Sequence, residues 1–144
     1  MAQISQIINH EGYSSLTHDN DIALLKTATK LTLGQVNANA VALPAQGSDV
    51  AAETSVTAAG WGRLTEGNAN LPADLQIVSK PAIARSVCQS AYAVAGLSVT
   101  NNMICAGHLG EGGKDACGGD SGGPVVDPSG QLVGLVSWGI GCAR

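Results

Sequence analysis

An all-β protein built from short strands is the fold class that this sequence predicts, on two observations. Apolar stretches recur along all 144 residues but are brief and bounded by Gly, Pro, Asn or Asp, and most are too short for helices. The segment Asp127-Pro128-Ser129-Gly130 also places Asp, Pro and Gly at the first, second and fourth positions that a type I turn favours, so it reads as the tip of a hairpin. Aromatic residues are only 3% of the chain and Phe is absent, which leaves Val, Ile, Leu and Ala to build the core. Trp61 and Trp138 are therefore expected as core or pocket walls.

In chain order, the strands are expected at Ile4 to Asn9, Ile22 to Leu25, Ser55 to Ala59, Leu75 to Ser79, Met103 to Ala106, Pro124 to Val126 and Leu132 to Trp138. One helix is predicted between the fourth and fifth strands. Ser86 is its expected N-cap, Val87, Ala91 and Val94 recur at helical spacing, and Gly96 supplies a stop. From Ala28 to Glu53 the chain is rich in Ala, Asn, Gln and Thr, with Pro44 and Gly47 as breakers, and reads as a long connection between two units. A chain of this length can bury one ordinary core or two very small ones.

Composition narrows the function classes. Apolar residues make up 44%, the range of a compact globular protein. Eleven acidic against seven basic residues leave a net charge of -4, and no Lys/Arg cluster could neutralise a run of phosphates, so nucleic acid is not an expected partner. No run approaches a membrane span, and Met1 to Ile8 lacks the basic start and apolar block of a signal peptide. Targeting information is expected to lie outside these residues. The four cysteines, Cys88, Cys105, Cys117 and Cys142, show neither a C-x-x-C pair nor a histidine at zinc spacing. Two disulfides in an oxidising compartment fit better than a metal site, with three connectivities open.

The chemistry-bearing segment is Gly119-Asp120-Ser121-Gly122-Gly123. Its glycines let the backbone turn sharply and let a reacting carbonyl approach main-chain N–H groups, so one turn can present a serine nucleophile and an oxyanion hole together. Five residues of this kind also describe a polar, Gly-rich loop. The longer context decides between the two: Lys114-Asp115-Ala116-Cys117-Gly118-Gly119-Asp120-Ser121-Gly122-Gly123-Pro124 resembles the nucleophile segment of the chymotrypsin and trypsin family over eleven consecutive residues. Four further stretches resemble that family in the right order: Asn20 to Leu25, Gly60-Trp61-Gly62, Met103 to Gly107, and Ser137-Trp138-Gly139 followed by Gly141-Cys142-Ala143. An α/β-hydrolase places its Gly-x-Ser-x-Gly serine between a strand and a helix, with its histidine following; here Pro124 and a hairpin follow Ser121, and no histidine lies beyond His108.

The resemblance implies a chymotrypsin-like double β-barrel, incomplete here, with residues 1–43 as the remnant of the N-terminal barrel, 44–53 as linker and 54–144 as most of the C-terminal barrel. It implies a trypsin-like serine endopeptidase with Ser121 as nucleophile, Asp21 orienting the catalytic imidazole, and the N–H groups of Gly119 and Ser121 as oxyanion donors. Ser137 would hydrogen-bond Asp21. Asp115 would sit at the base of the primary pocket and select Arg or Lys, with Trp138, Gly139 and Gly141 as pocket wall. The implied disulfides are Cys88 to Cys105 and Cys117 to Cys142. Polypeptides cleaved after Arg or Lys and protein protease inhibitors are the implied partners, the implied location is extracellular, and no cofactor or metal is required.

The pattern also departs from the family. The family's Ala-Ala-His-Cys histidine lies some 45 residues before its aspartate, and only twenty residues precede Asp21. His10, His18 and His108 fall in unrelated positions, so the base is expected to be missing and this chain inactive by itself. Asp120 is expected to lack a partner, because the family pairs it with a new N-terminal amine, and a poorly formed pocket would follow. After Arg144 the family continues with a strand and a helix. Two open barrels would expose strand edges and apolar faces, making the chain marginal or aggregation-prone. The alternative function is a non-catalytic homologue acting as a binding or regulatory module.

Overall fold

A computed structural model describes residues 2–34 and 38–143; Met1, Arg144 and residues 35–37 of the long connection lie outside the described residues. Strands β1 (Ile4–Asn9) and β2 (Ala23–Thr27) pair antiparallel as a two-stranded sheet. A second sheet holds β3 (Ser55–Gly60), β4 (Gln76–Ile83), β5 (Cys105–Ala106), β6 (Pro124–Val126) and β7 (Leu132–Leu135) in the order β5-β4-β3-β6-β7, all neighbours antiparallel. The single helix among the described residues, α1, spans Arg85–Ala93. The all-β expectation therefore holds, with the larger sheet curled as a half-barrel in the chymotrypsin-like manner.

All seven predicted strands are present; β1 and β6 keep their predicted ends, and those of the other five move. Strand β4 runs on to Ile83 through Pro81, a residue that usually argues against a central strand. Pro81 faces the end of β5, where its carbonyl accepts the Gly107 N–H at 3.0 Å, so its missing donor falls where pairing runs out. Strand β7 stops at Leu135; Val136 still pairs with the residues after Ser121, and the chain then leaves the sheet towards Trp138.

The helix corrects two expectations. Its N-cap is Ala84, with no side-chain cap, and Ser86 lies inside it, its carbonyl accepting the Ser90 hydroxyl at 2.9 Å. The Val87/Ala91/Val94 stripe faces solvent, with Val94 92% exposed. The inward face is Arg85, Cys88, Gln89 and Tyr92, the same helical spacing in another phase. A disulfide and hydrogen bonds decide that phase: Cys88 bonds Cys105 of β5, Gln89 Nε2 donates to the Val99 carbonyl at 3.0 Å, and Arg85 pairs with Asp49 at 2.5 Å.

Hydrophobic packing is concentrated in the five-stranded sheet. Val56 and Ala58 of β3 and Ala82 of β4 are buried, together with Cys88 and Val99. Full burial of one valine is worth about 1.5–3 kcal/mol, so a core this small leans on hydrogen bonds and cross-links as well. Trp61, expected as a core or pocket wall, is instead 53% exposed. In the β1–β2 sheet Ile4, Ile7, Ile8, Leu24 and Leu25 are all exposed, apolar surface of the kind that invites association.

Polar contacts tie the loop before β2 to the loop between α1 and β5. Asp19 Oδ1 accepts the Thr100 hydroxyl at 2.5 Å and the Asn102 amide at 3.1 Å. The predicted turn is similarly tied down: Asp127 Oδ1 accepts the Ser129 N–H, the Ser129 hydroxyl and the Gln131 N–H, while Gly130 takes φ +82°, the left-handed conformation that completes a bulged hairpin.

These contacts set an acid limit on stability. The Thr100 hydroxyl above all holds the Asp19 carboxyl below its ordinary value of 3.8, Arg85 does the same for Asp49, and the Ser129 hydroxyl for Asp127. Carboxyls with folded values below their unfolded ones add stability above the unfolded value and lose it as pH falls through the folded one. Urea midpoints should therefore be flat from pH 5 to 7 as far as these groups are concerned, then fall below pH 3.8. D19N should flatten part of that fall.

Candidate active site

Three segments converge where the sequence places its chemistry: 60–63 at the end of β3, 113–123 before β6, and 136–143 after β7. The turn before β6 forms because Gly119 (φ +103°) and Gly122 (φ +77°) adopt conformations costly for other residues. It is closed by Asp120 N–H to the Cys117 carbonyl at 3.0 Å and Gly123 N–H to the Asp120 carbonyl at 2.8 Å. Beyond it the Gly122 N–H donates to Val136 O at 2.7 Å, and the Val136 N–H donates back to Gly123 O at 2.9 Å. This antiparallel step sets Ser121 across from Ser137.

Ser121 is exposed, and its hydroxyl has no hydrogen-bond partner among the described residues. The N–H groups of Gly119 and Ser121 likewise donate to no acceptor among them. Ser137 Oγ donates to Asp21 Oδ2 at 2.6 Å, so the residue opposite Ser121 holds the aspartate that arrives from the other sheet. Trp138 is packed edge-on by Tyr92, with ring centroids 5.0 Å apart, and lies 5.7 Å from the His18 ring. At Gly139 an added Cβ would meet only ordinary contacts, Tyr92 Oη at 3.7 Å and Gly141 O at 3.8 Å. Its lack of a side chain leaves the space beside Trp138 open.

None of the histidines bridges Asp21 and Ser121. His10 Nδ1 accepts the Gly12 N–H at 3.0 Å, His18 lies beside Trp138, and His108 sits in the exposed loop after β5.

Asp120 departs from expectation: it has partners. Oδ1 accepts the Gly62 N–H at 2.7 Å and Oδ2 accepts the Cys117 N–H at 2.9 Å. Gly60 and Gly62 are what admit it, because a Cβ on either would overlap the Asp120 carboxylate. The Gly-Trp-Gly segment is thus a cradle for the aspartate beside Ser121, and its glycines rather than its tryptophan do the cradling.

The two disulfides are Cys88–Cys105 and Cys117–Cys142. The second joins the segment carrying Asp115 to the one carrying Gly139 and Gly141. Across it the Gly113 N–H donates to the Ala143 carbonyl and the Ala143 N–H to Asp115 Oδ2, both at 3.1 Å. Asp115 Oδ1 accepts the Ala116 N–H at 2.8 Å and is paired with the Lys80 ammonium. Lys80 is a residue that the sequence reading missed. It stands on β4 opposite Val56, between Val78 and Ala82 on the inward-facing side, and is only 9% exposed. The legible signal was a lysine in phase with apolar neighbours on a buried strand face, where charges rarely sit unless paired.

No group of three or more His, Cys, Asp or Glu is arranged to hold a metal among the described residues. No helix among them is long and apolar enough to cross a membrane. A cavity of about 220 Å³, lined among others by Pro44, Asp49, Ile104 and Gln131, includes none of Asp21, Asp115, Gly119, Ser121, Ser137, Trp138, Gly139 and Gly141.

The sequence model of the Trypsin family matches residues 1–144. Trypsin Blo t 3 from Blomia tropicalis is 54% identical over 140 residues, covering 97% of this chain and 52% of that protein. Trypsin Tyr p 3.0101 from Tyrophagus putrescentiae is 45% identical over 99% of this chain and 49% of its own length. Anionic trypsin from Bos taurus is 45% identical over 97% and 53%. The chain thus spans about half the length of the curated relatives it matches. With a family match along its whole length and an exposed Ser121 set on a glycine turn across from the Asp21–Ser137 pair, the chain belongs to the trypsin family.

Proposed function

We infer that this protein is a secreted serine endopeptidase that cleaves polypeptides after Arg or Lys through an acyl-enzyme on Ser121. The observation that carries the reading is the Ser121 turn. An unpartnered hydroxyl shares it with two unpartnered N–H groups, across from the serine that holds Asp21. In this reading residues 1–43 belong to an N-terminal barrel, 44–53 to a linker and 54–144 to a C-terminal barrel, with the site between the barrels.

Mechanistically, Ser121 Oγ attacks the scissile carbonyl, and the Gly119 and Ser121 N–H groups stabilise the charge that develops on its oxygen. One such donor is typically worth about 3–4 kcal/mol of transition-state stabilisation. An imidazole between Asp21 and Ser121 takes the proton from Oγ and returns it to the leaving amine, while Asp21 holds that ring and stabilises its charged form. Because His10, His18 and His108 are placed elsewhere, the 144 residues alone are expected to hydrolyse Arg or Lys esters slowly or not at all. Asp115 supplies the carboxylate that recognises the basic side chain of the substrate. The two disulfides suit an oxidising, extracellular setting, where protein protease inhibitors would be natural partners.

Ester and anilide substrates bearing Arg, Lys or Leu test the assignment on the secreted enzyme. S121A should lower kcat by about a thousandfold or more, and D115S should reduce kcat/KM for Arg and Lys by about tenfold or more while sparing Leu. An S121A enzyme with undiminished turnover defeats the reading, and a secreted wild-type protein that is inert towards all three favours the non-catalytic module. Robust, Ser121-dependent turnover by the 144-residue chain alone would mean that one of its own groups serves as base.

A further inference from the structure

We propose that Lys80 is a specificity-determining residue: it pairs internally with Asp115, so the pocket floor presents a neutral ion pair rather than a bare carboxylate. This rests on the reading of Asp115 as the floor of the substrate pocket. Val56 and Lys80 are opposite each other on β3 and β4, and Ala58 and Ala82 complete the same buried face. An ammonium placed there must be paired or it would be costly to bury. The Lys80 side chain is 10% exposed and reaches Asp115, whose side chain is 32% exposed. The lysine thus meets the carboxylate from inside the sheet, and the outer side of the carboxylate faces solvent.

A carboxylate offers about four lone-pair sites on its two oxygens. Oδ1 already accepts the Ala116 N–H and Lys80, and Oδ2 accepts the Ala143 N–H. What remains for a substrate is one acceptor site, approached from the exposed side. An ammonium, a compact point charge, can use it. A guanidinium, whose planar fork is best satisfied by both oxygens together, finds only half of its partner. Any incoming cation also meets the positive charge of Lys80 across the same carboxylate. The consequence is a pocket in which the advantage of basic over uncharged side chains is compressed, and in which Arg loses more than Lys.

Benzamidine, an aromatic amidinium that mimics a bound Arg, tests this by equilibrium binding, which requires no catalytic base. Titration calorimetry on the purified protein, with both disulfides verified, compares wild type, K80M, K80R, D115N and the K80M/D115N double variant. K80M keeps the length of the side chain and removes its charge; it should tighten binding by about tenfold or more. K80R, which keeps a cation there, should bind as weakly as wild type, and K80M/D115N should lose the gain. If K80M matches wild type while D115N abolishes binding, Lys80 has no such role and the pocket reading stands. Benzamidine that binds neither wild type nor a folded K80M defeats both. Should K80M fold poorly by circular dichroism, K80Q serves in its place with the same expected tightening.

Discussion

Replacing Gly62 with alanine is expected to cost roughly 3–5 kcal/mol of folding stability and to disorganise the Ser121 turn, although the change adds a single methyl group. A Cβ at Gly62 would stand 2.6 Å from Asp120 Oδ1 and closer still to Cγ and Oδ2. The carboxylate would have to leave. Its departure breaks two charge-assisted hydrogen bonds, from the Gly62 and Cys117 N–H groups, each worth about 1.5–3 kcal/mol. It also removes the brace of the residue directly before Ser121. Gly139→Ala is the matched control, because its Cβ meets only ordinary contacts, and its stability should stay within about 0.5 kcal/mol of wild type. Urea midpoints measure both effects. A G62A midpoint equal to that of G139A would mean that Asp120 is not held as described.

The contrast between Asp120 and Lys80 shows what was legible in the sequence and why. Strand positions were readable because each is bounded by turn residues, and the Asp127 to Gly130 hairpin carries its instruction in four consecutive side chains. The sharp turn at Ser121 was readable because the glycines that allow it, Gly119 and Gly122, lie beside it in the chain. Asp120 was misjudged because its partners are backbone N–H groups, one of them 58 residues away, and main-chain donors leave no mark in a sequence. Lys80 was missed because the phase of β4 becomes apparent only once its pairing with β3 is known, and the strand was expected to end at Ser79. The phase of α1 had a similar cause. Val87, Ala91 and Val94 make a plausible apolar stripe, but the Cys88–Cys105 cross-link and the Arg85–Asp49 ion pair outweigh it. Where partners are distant and polar, local pattern gave the element but not its orientation.

The disulfides should separate stability from recognition. Each closes a modest loop, 17 residues for Cys88–Cys105 and 25 for Cys117–Cys142, so on loop entropy alone each is worth about 3 kcal/mol. Their surroundings differ. Cys88 is 2% exposed, and its bond fastens α1 to β5; C88A/C105A should lower the urea midpoint through both the lost cross-link and a cavity. Cys117–Cys142 instead joins the two segments that meet at Asp115, where Ala143, at φ +60°, donates its N–H to the carboxylate. Freed of that tether, a non-glycine residue in the left-handed region should relax, and the Ala143 hydrogen bond should go with it. C117A/C142A should therefore lose about 3 kcal/mol of stability and also weaken benzamidine binding in the K80M background, whereas C88A/C105A should leave that affinity within about twofold while it remains folded. Equal losses of affinity in the two variants would place the pocket's dependence in global stability rather than in this tether. A loss in C117A/C142A alone would assign the second disulfide to holding Asp115 in register with the chain that carries Gly139 and Gly141.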